Sequence, residues 1–242
     1  MSLFPACEKD FALATAQGSL ACTVHLPEVV PAPVLVCSHG LLSSRSSSKF
    51  AVMGEEFSRA GLAVVRFDFS GCGDSPAPLE RCLLPVRLGN LRDVVKHALG
   101  QSWCNGRISL LGSSLGGYLS LLAAAEMRGL VRAVACWATP FDLERIRRGL
   151  QDSDELKSHF PGGMQLGEPR NLAALPPVER VLILHGEKDE TVPPQHAMEI
   201  YGRLGEPRSL CFFDDGDHRL LDPHCREVAR QLSLDWLLEH GA

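Results

Sequence analysis

Short runs of β-branched and leucine residues recur along the chain, at Val34–Ser38, Leu62–Phe67, Ile108–Leu111, Ala133–Trp137, Val181–Leu184 and Ser209–Phe213. They are continuously apolar rather than alternating, the pattern of strands covered on both faces. Between them lie segments whose apolar residues recur at helical spacing: Lys49–Ala60, Arg87–Leu99, Leu115–Met127, Pro194–Leu204 and Cys225–Leu238. Strands alternating with helices of this length predict an α/β fold, a mostly parallel central sheet with helices on both faces. FALAT (Phe11–Thr15) and LACTVHL (Leu20–Leu26), ahead of the first such strand, predict antiparallel strands at one edge.

One stretch breaks the alternation. From Pro140 to Pro177 no strand-like run occurs; the charged helical pieces DLERIRRGL and DSDELKSHF are followed by PGGMQLGEPRN. A segment of this length inside a compact domain is usually a lid or a binding element. The expectation is one domain over 1–242 with a short helical lid inserted at about 140–177.

Composition narrows the function classes. The chain has 242 residues, 45% hydrophobic and 22% charged, enough to bury one large core and too few for two. Its 24 basic and 29 acidic residues give a formal charge of -5 without a basic block, so neither nucleic acid nor an anionic membrane is an expected partner. No apolar run reaches the roughly 20 residues of a membrane helix. The start, MSLFPACEKDFALAT, lacks a secretory pattern, and the nine cysteines are odd in number, scattered and mostly set in apolar runs. A cytoplasmic location is the expectation. No C-x-x-C pair is present, so neither a metal site nor a redox site is expected.

The chemistry starts at GSSLGG, residues 112–117, between the apolar strand RISLL and the apolar helix that follows. A strand that turns at once into a helix can hold the turning residue in a strained conformation, with its side chain standing clear. It can do so only if the residues two positions away have no β-carbon to collide. Gly112, Ser114 and Gly116 have that spacing, and Ser114 is the candidate nucleophile. Ser113 is not, because its flanking positions are Leu111 and Leu115.

A serine hydroxyl needs a base, and the base needs an orienting group. Asp189 lies in the loop after VLILHG, and His218 in the loop after LCFFDDG, both at the sheet end that carries Ser114. Glu187, Glu190, Asp214, Asp215 and Asp217 are competitors nearby. The order nucleophile, acid, histidine differs from that of trypsin-like and subtilisin-like enzymes. For a developing oxyanion, two backbone N–H groups are available: Leu115, at the positive start of the helix, and Leu41, in the turn His39-Gly40-Leu41. His39 and Gly40 are expected to shape that turn.

These motifs, SHGLL, FDFSGCGDS, GSSLGG and HGEKDETVP with GDH, together resemble the α/β-hydrolase superfamily over nearly the whole chain. The turn Asp68-Phe69-Ser70-Gly71-Cys72-Gly73-Asp74-Ser75 is similar to that of serine aminopeptidase-like, feruloyl-esterase-like and monoacylglycerol-lipase-like members. The resemblance implies a cofactor-free serine hydrolase acting on esters, thioesters or amides, with Ser114, His218 and Asp189 as its triad. The expected substrates are small soluble carboxylic esters. Phe141, Leu143, Ile146, Phe160 and Met164 would form an apolar acyl or aromatic pocket, and Arg145, Arg147 and Arg148 could meet a carboxylate. A peptidase, amidase or thioesterase of the same fold is an alternative, as is a non-catalytic binding module. Exposed edge strands leave a homodimer open.

Overall fold

The computed structural model describes residues 2–3, 7–79, 83–150, 158, 167 and 172–242. Its strands are β1 (Ser2–Leu3), β2 (Cys7–Thr15), β3 (Gly18–Leu26), β4 (Val29–Val30), β5 (Ala32–Ser38), β6 (Ala63–Phe67), β7 (Cys104–Ser113), β8 (Val131–Trp137), β9 (Val181–Gly186) and β10 (Arg208–Phe213). Its helices are α1 (Ser48–Arg59), α2 (Leu84–Leu99), α3 (Leu115–Glu126), α4 (Leu143–Leu150), α5 (Gln195–Tyr201) and α6 (Pro223–Gly241).

The eight long strands form one sheet in the order β10-β9-β8-β7-β5-β6-β3-β2. From β10 to β6 every pair is parallel, whereas β3 joins β6 antiparallel and β2 closes the edge as the antiparallel partner of β3. The short β1 and β4, which carry no apolar run, pair with each other outside this sheet.

The continuous apolar strands serve two cores. In β5, Val34 and Val36 face the core built with α2, α3 and α5, while Leu35 and Cys37 face the core built with α1 and α6. That period of two, apolar on both phases, is why these strands do not alternate in sequence. Helix α3, LGGYLSLLAAAE, is buried from Leu115 through Ala125 and has no polar face to present to water. It packs on β7 and β8 and is itself flanked by α2. No helix among the described residues is long and apolar enough to cross a membrane.

The order of strands positions the site. The chain leaves β5 toward β6 on one side and returns to β7 on the other, so the loops after β5 and β7 diverge at a topological switch point. In open α/β sheets the crevice outside such a point, at the carboxyl ends of the strands, is where ligands bind. Of the insertion after β8, the described parts are residues 140–150, which include α4, then Ser158, Gly167 and the residues from Leu172 onward, which begin with the short 3₁₀ turn Leu172–Ala174. Phe160 and Met164 lie outside the described residues.

Candidate active site

Ser114 follows the last residue of β7 and caps α3 with φ 55° and ψ -123°, in the left-handed region that a non-glycine residue rarely adopts. Its N–H donates to the Trp137 carbonyl at 2.7 Å, which ties the turn to the neighbouring strand. The turn closes only because its flanks are bare. A β-carbon on Gly112 would lie 2.3 Å from the Gly116 carbonyl oxygen, and one on Gly116 would lie 2.0 Å from that of Ser38. Gly117 faces Thr139 just past β8 in the same way.

The half-exposed Ser114 hydroxyl lies 3.1 Å from His218 Nε2, and His218 Nδ1 lies 2.8 and 3.0 Å from the two Asp189 oxygens. A carboxylate only accepts, so Nδ1 carries the proton and Nε2 is free to accept from the hydroxyl. The Asp189 side chain is fully buried and that of His218 is 21% exposed. Burial pushes the Asp189 carboxyl up. Hydrogen bonds from His185 and His218, the charge on His218 and the Val192 N–H outweigh that and hold it at about 2. Its Oδ1 also accepts the N–H groups of Thr191 and Val192 at 3.0 and 2.7 Å. Of the carboxylates that compete with it in sequence, Asp215 pairs with Lys188 and Asp217 accepts from the Arg219 and Leu221 backbones.

Nothing in the sequence marks His185 beyond its place in the VLILHG strand that leads into the acid loop. It is fully buried, and its Nε2 donates to the Val192 carbonyl at 2.7 Å while lying 3.3 Å from Asp189 Oδ2. It braces the loop that carries the carboxylate. His39 shapes its loop as the sequence suggests: Nδ1 donates to the Gly40 carbonyl at 2.7 Å and Nε2 accepts the Phe69 N–H at 3.1 Å. Burial, the foremost effect, pushes it down to about 4 and keeps it the neutral clasp between these two turns. Asp68, fully buried, anchors the FDFSGCGDS turn by accepting the Arg45 guanidinium and the N–H groups of Arg45 and Asp74.

A cleft of about 890 Å³ opens beside Ser114 and His218. Leu41 and Leu115, the residues whose N–H groups are expected to face an oxyanion, both line it, as do Leu143 and Ile146 from the insertion. Phe141 does not. It sits in the core with the Arg203 guanidinium over its ring at 5.3 Å, because its N–H is held by buried His196 Nδ1 at 3.0 Å and the ring is turned inward. The arginines expected to meet a carboxylate are paired within the protein: Arg145 with Glu199 at 2.7 Å, Arg147 and Arg148 with Glu144 at 2.6 and 3.2 Å. Lys49, in contrast, enters the cleft wall and donates from Nζ to Ser113 Oγ at 2.6 Å. Nothing in SSSKF marks it, since only the fold brings the start of α1 against the end of β7.

A hydroxyl hydrogen-bonded to an imidazole that is fixed by a buried carboxylate, at the mouth of an open cleft, can transfer a proton from serine as it attacks a carbonyl. Among the described residues, no group of three or more His, Cys, Asp or Glu side chains could hold a metal ion. The model of the alpha/beta hydrolase fold matches residues 33–158. The chain belongs to the α/β-hydrolase fold family. It is 30% identical over 212 residues to mouse palmitoyl-protein thioesterase ABHD10, mitochondrial, covering 78% of this chain and 69% of that one. It is 32% identical over 164 residues to the uncharacterized protein YfhR of Salmonella typhimurium, covering 63% of this chain and about half, 53%, of YfhR. In structure it superposes on Est1E from Butyrivibrio proteoclasticus, solved with ferulic acid bound. The TM-score is 0.78 at 20% identity, with 95% of this chain and 98% of that one covered, a likeness of fold.

Proposed function

We propose that this protein is a serine hydrolase that cleaves small carboxylic acyl esters through an acyl-enzyme on Ser114. The observation that carries the reading is the continuous hydrogen-bonded path from Ser114 Oγ through His218 to Asp189, with steps of 3.1 and 2.8 Å. In this mechanism His218 Nε2 takes the Ser114 proton as Oγ bonds to the substrate carbonyl carbon. The oxygen, now anionic, is met by the N–H groups of Leu41 and Leu115, each of which would contribute about 3 kcal/mol to the transition state. Asp189 stabilises the imidazolium and holds its tautomer. The tetrahedral species collapses, His218 returns the proton to the leaving alcohol, and the ester bond breaks. Water then gives its proton to His218, attacks the acyl-enzyme and releases the carboxylic acid, with the proton restored to Ser114. No step draws on a cofactor.

Thioesters are a second reading, favoured by the thioesterase among the relatives. The same steps apply with a thiol as leaving group. Leu143 and Ile146 give the acyl chain an apolar wall.

The test is covalent labelling by a fluorophosphonate together with rates on 4-nitrophenyl esters, acyl thioesters and aminoacyl anilides. Labelling mapped to Ser114, with ester or thioester turnover well above anilide turnover, is expected. Turnover of anilides alone would make it an amidase, and no labelling at Ser114 would leave a binding module on this fold.

A further inference from the structure

The chain as a whole has a formal charge of -5, yet among the described residues its cleft is lined by four cations, Lys49, Lys188, Arg219 and Arg226, against two carboxylates, Glu190 and Asp217. Local contacts account for part of this. Lys188 pairs with Asp215, and Asp217 accepts the backbone N–H groups of Arg219 and Leu221 at 3.0 and 2.9 Å. Lys49 and Arg226 form no ion pair among the described residues. Lys49 Nζ donates to the Ser113 hydroxyl, and Arg226 donates to the carbonyls of Leu220 and Arg219 at 2.8 and 3.2 Å. Hydroxyl and carbonyl acceptors satisfy donors without neutralising charge.

The start of helix α1 adds to the same wall. Ser47, its N-cap, lines the cleft, and the Ser47 hydroxyl is buried without a hydrogen-bond partner among the described residues. The first turn contains no acidic residue to offset the positive end of the helix. A buried hydroxyl without a partner is costly, and so are cations that face one another; a bound anion relieves both. The crowding registers on Lys49, which burial, then Arg226 and Arg219, push down to about 8.

We propose that Lys49, Arg226 and the Ser47 end of α1 form a subsite for an oxyanion, carboxylate or phosphate, of the substrate. On the reading that Ser114 is the nucleophile, the preferred substrates are then acyl esters or thioesters that carry a negative charge close to the scissile bond. Contact with Lys49 and Arg226 at this depth favours a charged substrate over a neutral one of equal size by roughly ten- to a hundredfold in kcat/KM. The effect falls mainly on KM and weakens with salt.

Four esters test this: 4-nitrophenyl butyrate, the 4-nitrophenyl monoesters of succinate and of 3-phosphonopropionate, and 3-carboxy-4-nitrophenyl butyrate. The middle two place a carboxylate or a phosphonate on the acyl chain, and the last places the charge on the leaving group. The wild type is expected to favour at least one charged ester over the neutral one by tenfold or more. Lys49→Met should cut that ratio about tenfold, and Lys49→Arg should keep it. Which ester is favoured identifies the anion and the side it enters. Ratios near one for all charged esters, or a ratio unaltered in Lys49→Met, overturn the proposal. Calorimetric binding of the same esters to Ser114→Ala protein, with and without Lys49→Met, separates the two readings. Charge-selective binding that depends on Lys49 supports the subsite even if no ester is turned over. Turnover without charge selectivity supports the nucleophile and overturns the subsite.

Discussion

Gly186 and Gly216 touch through their backbones. A β-carbon on Gly186 would lie 2.1 Å from the Gly216 carbonyl oxygen, which already accepts the Lys188 N–H at 2.9 Å. Gly186 ends β9 and Gly216 lies in the loop after β10, so the approach of acid to base is set three residues upstream of Asp189 and two upstream of His218. Gly186→Ala is therefore expected to part the loops by several tenths of an ångström or more. A misplacement that reaches about 1 Å costs catalysis about a hundredfold. Steady-state kinetics on a 4-nitrophenyl ester should show kcat falling far more than KM rises; an unchanged kcat would mean that the loops do not set each other.

At the elbow the stakes are structural. A branched side chain at Gly112 would meet Gly116 and Gly117 backbone atoms at 2.3 to 2.4 Å, with no flexible neighbour to yield. Gly112→Val is expected to lower stability by more than about 3 kcal/mol and to yield little soluble protein. Thermal melting and soluble yield read this directly, and a well-folded variant with a wild-type melting temperature would contradict the packing.

These glycines also show what was legible in the sequence. GSSLGG could be read because a strained strand-to-helix turn requires bare neighbours at fixed spacing, and the strands because burial on both faces writes continuous apolar runs. Strand β7 extends beyond its apolar run, from Cys104 to Ser113, because pairing with β5 and β8 continues past it. The pair β1 and β4, two residues each, left no pattern. Phe141 read as a pocket residue because composition cannot say which way a ring turns; a hydrogen bond to His196, 55 residues on, decides that. Lys49 was invisible for the same reason, since its partner Ser113 lies 64 residues away.

Asp189 tests the orientation of the imidazole. As a carboxylate it can only accept from Nδ1, whereas an amide can offer its own N–H and turn the histidine to the wrong tautomer. Asp189→Asn should reduce kcat by about 10⁴ with little change in KM. The carboxyl is held at about 2, below its ordinary value, so its contribution to stability is complete above the unfolded value of 3.8 and is lost as pH falls toward about 2. Acid unfolding of the wild type should therefore show a component between those values that is missing from the variant.

His196 holds the root of the insertion. Its Nδ1 accepts the N–H groups of Phe141 at 3.0 Å and Asp142 at 3.3 Å, just ahead of helix α4. Burial first, then the Arg145 charge, lowers its pKa, so it stays a neutral acceptor below the usual 6.5. Its support is present above pH 6.5 and is lost as pH falls through the lower folded value. His196→Leu should cost about 1 to 3 kcal/mol by leaving those N–H groups unpaired. Hydrogen exchange at Phe141 and Asp142 should accelerate in the variant and, in the wild type, on acidification; protection that persisted in both would remove His196 from this role.

Lys49 offers the sharpest use of pH, because selectivity and stability should move in opposite directions. With its ammonium pushed down to about 8 from an ordinary 10.5, Lys49 is charged in the folded protein only below about pH 8. The preference for a charged over a neutral ester should be fullest near pH 7 and fall as pH rises through about 8. Taking the ratio of the two kcat/KM values cancels every ionisation of the protein that acts alike on both substrates. The guanidinium of Arg226 should leave a residual preference. For stability the sign reverses: the unfolded chain holds the proton more tightly, so this group's contribution rises between about pH 8 and 10.5. Lys49→Met, which cannot titrate, should flatten both curves at once. A ratio that stayed level from pH 7 to 9.5 in the wild type would mean that the charge read by the substrate is not this lysine.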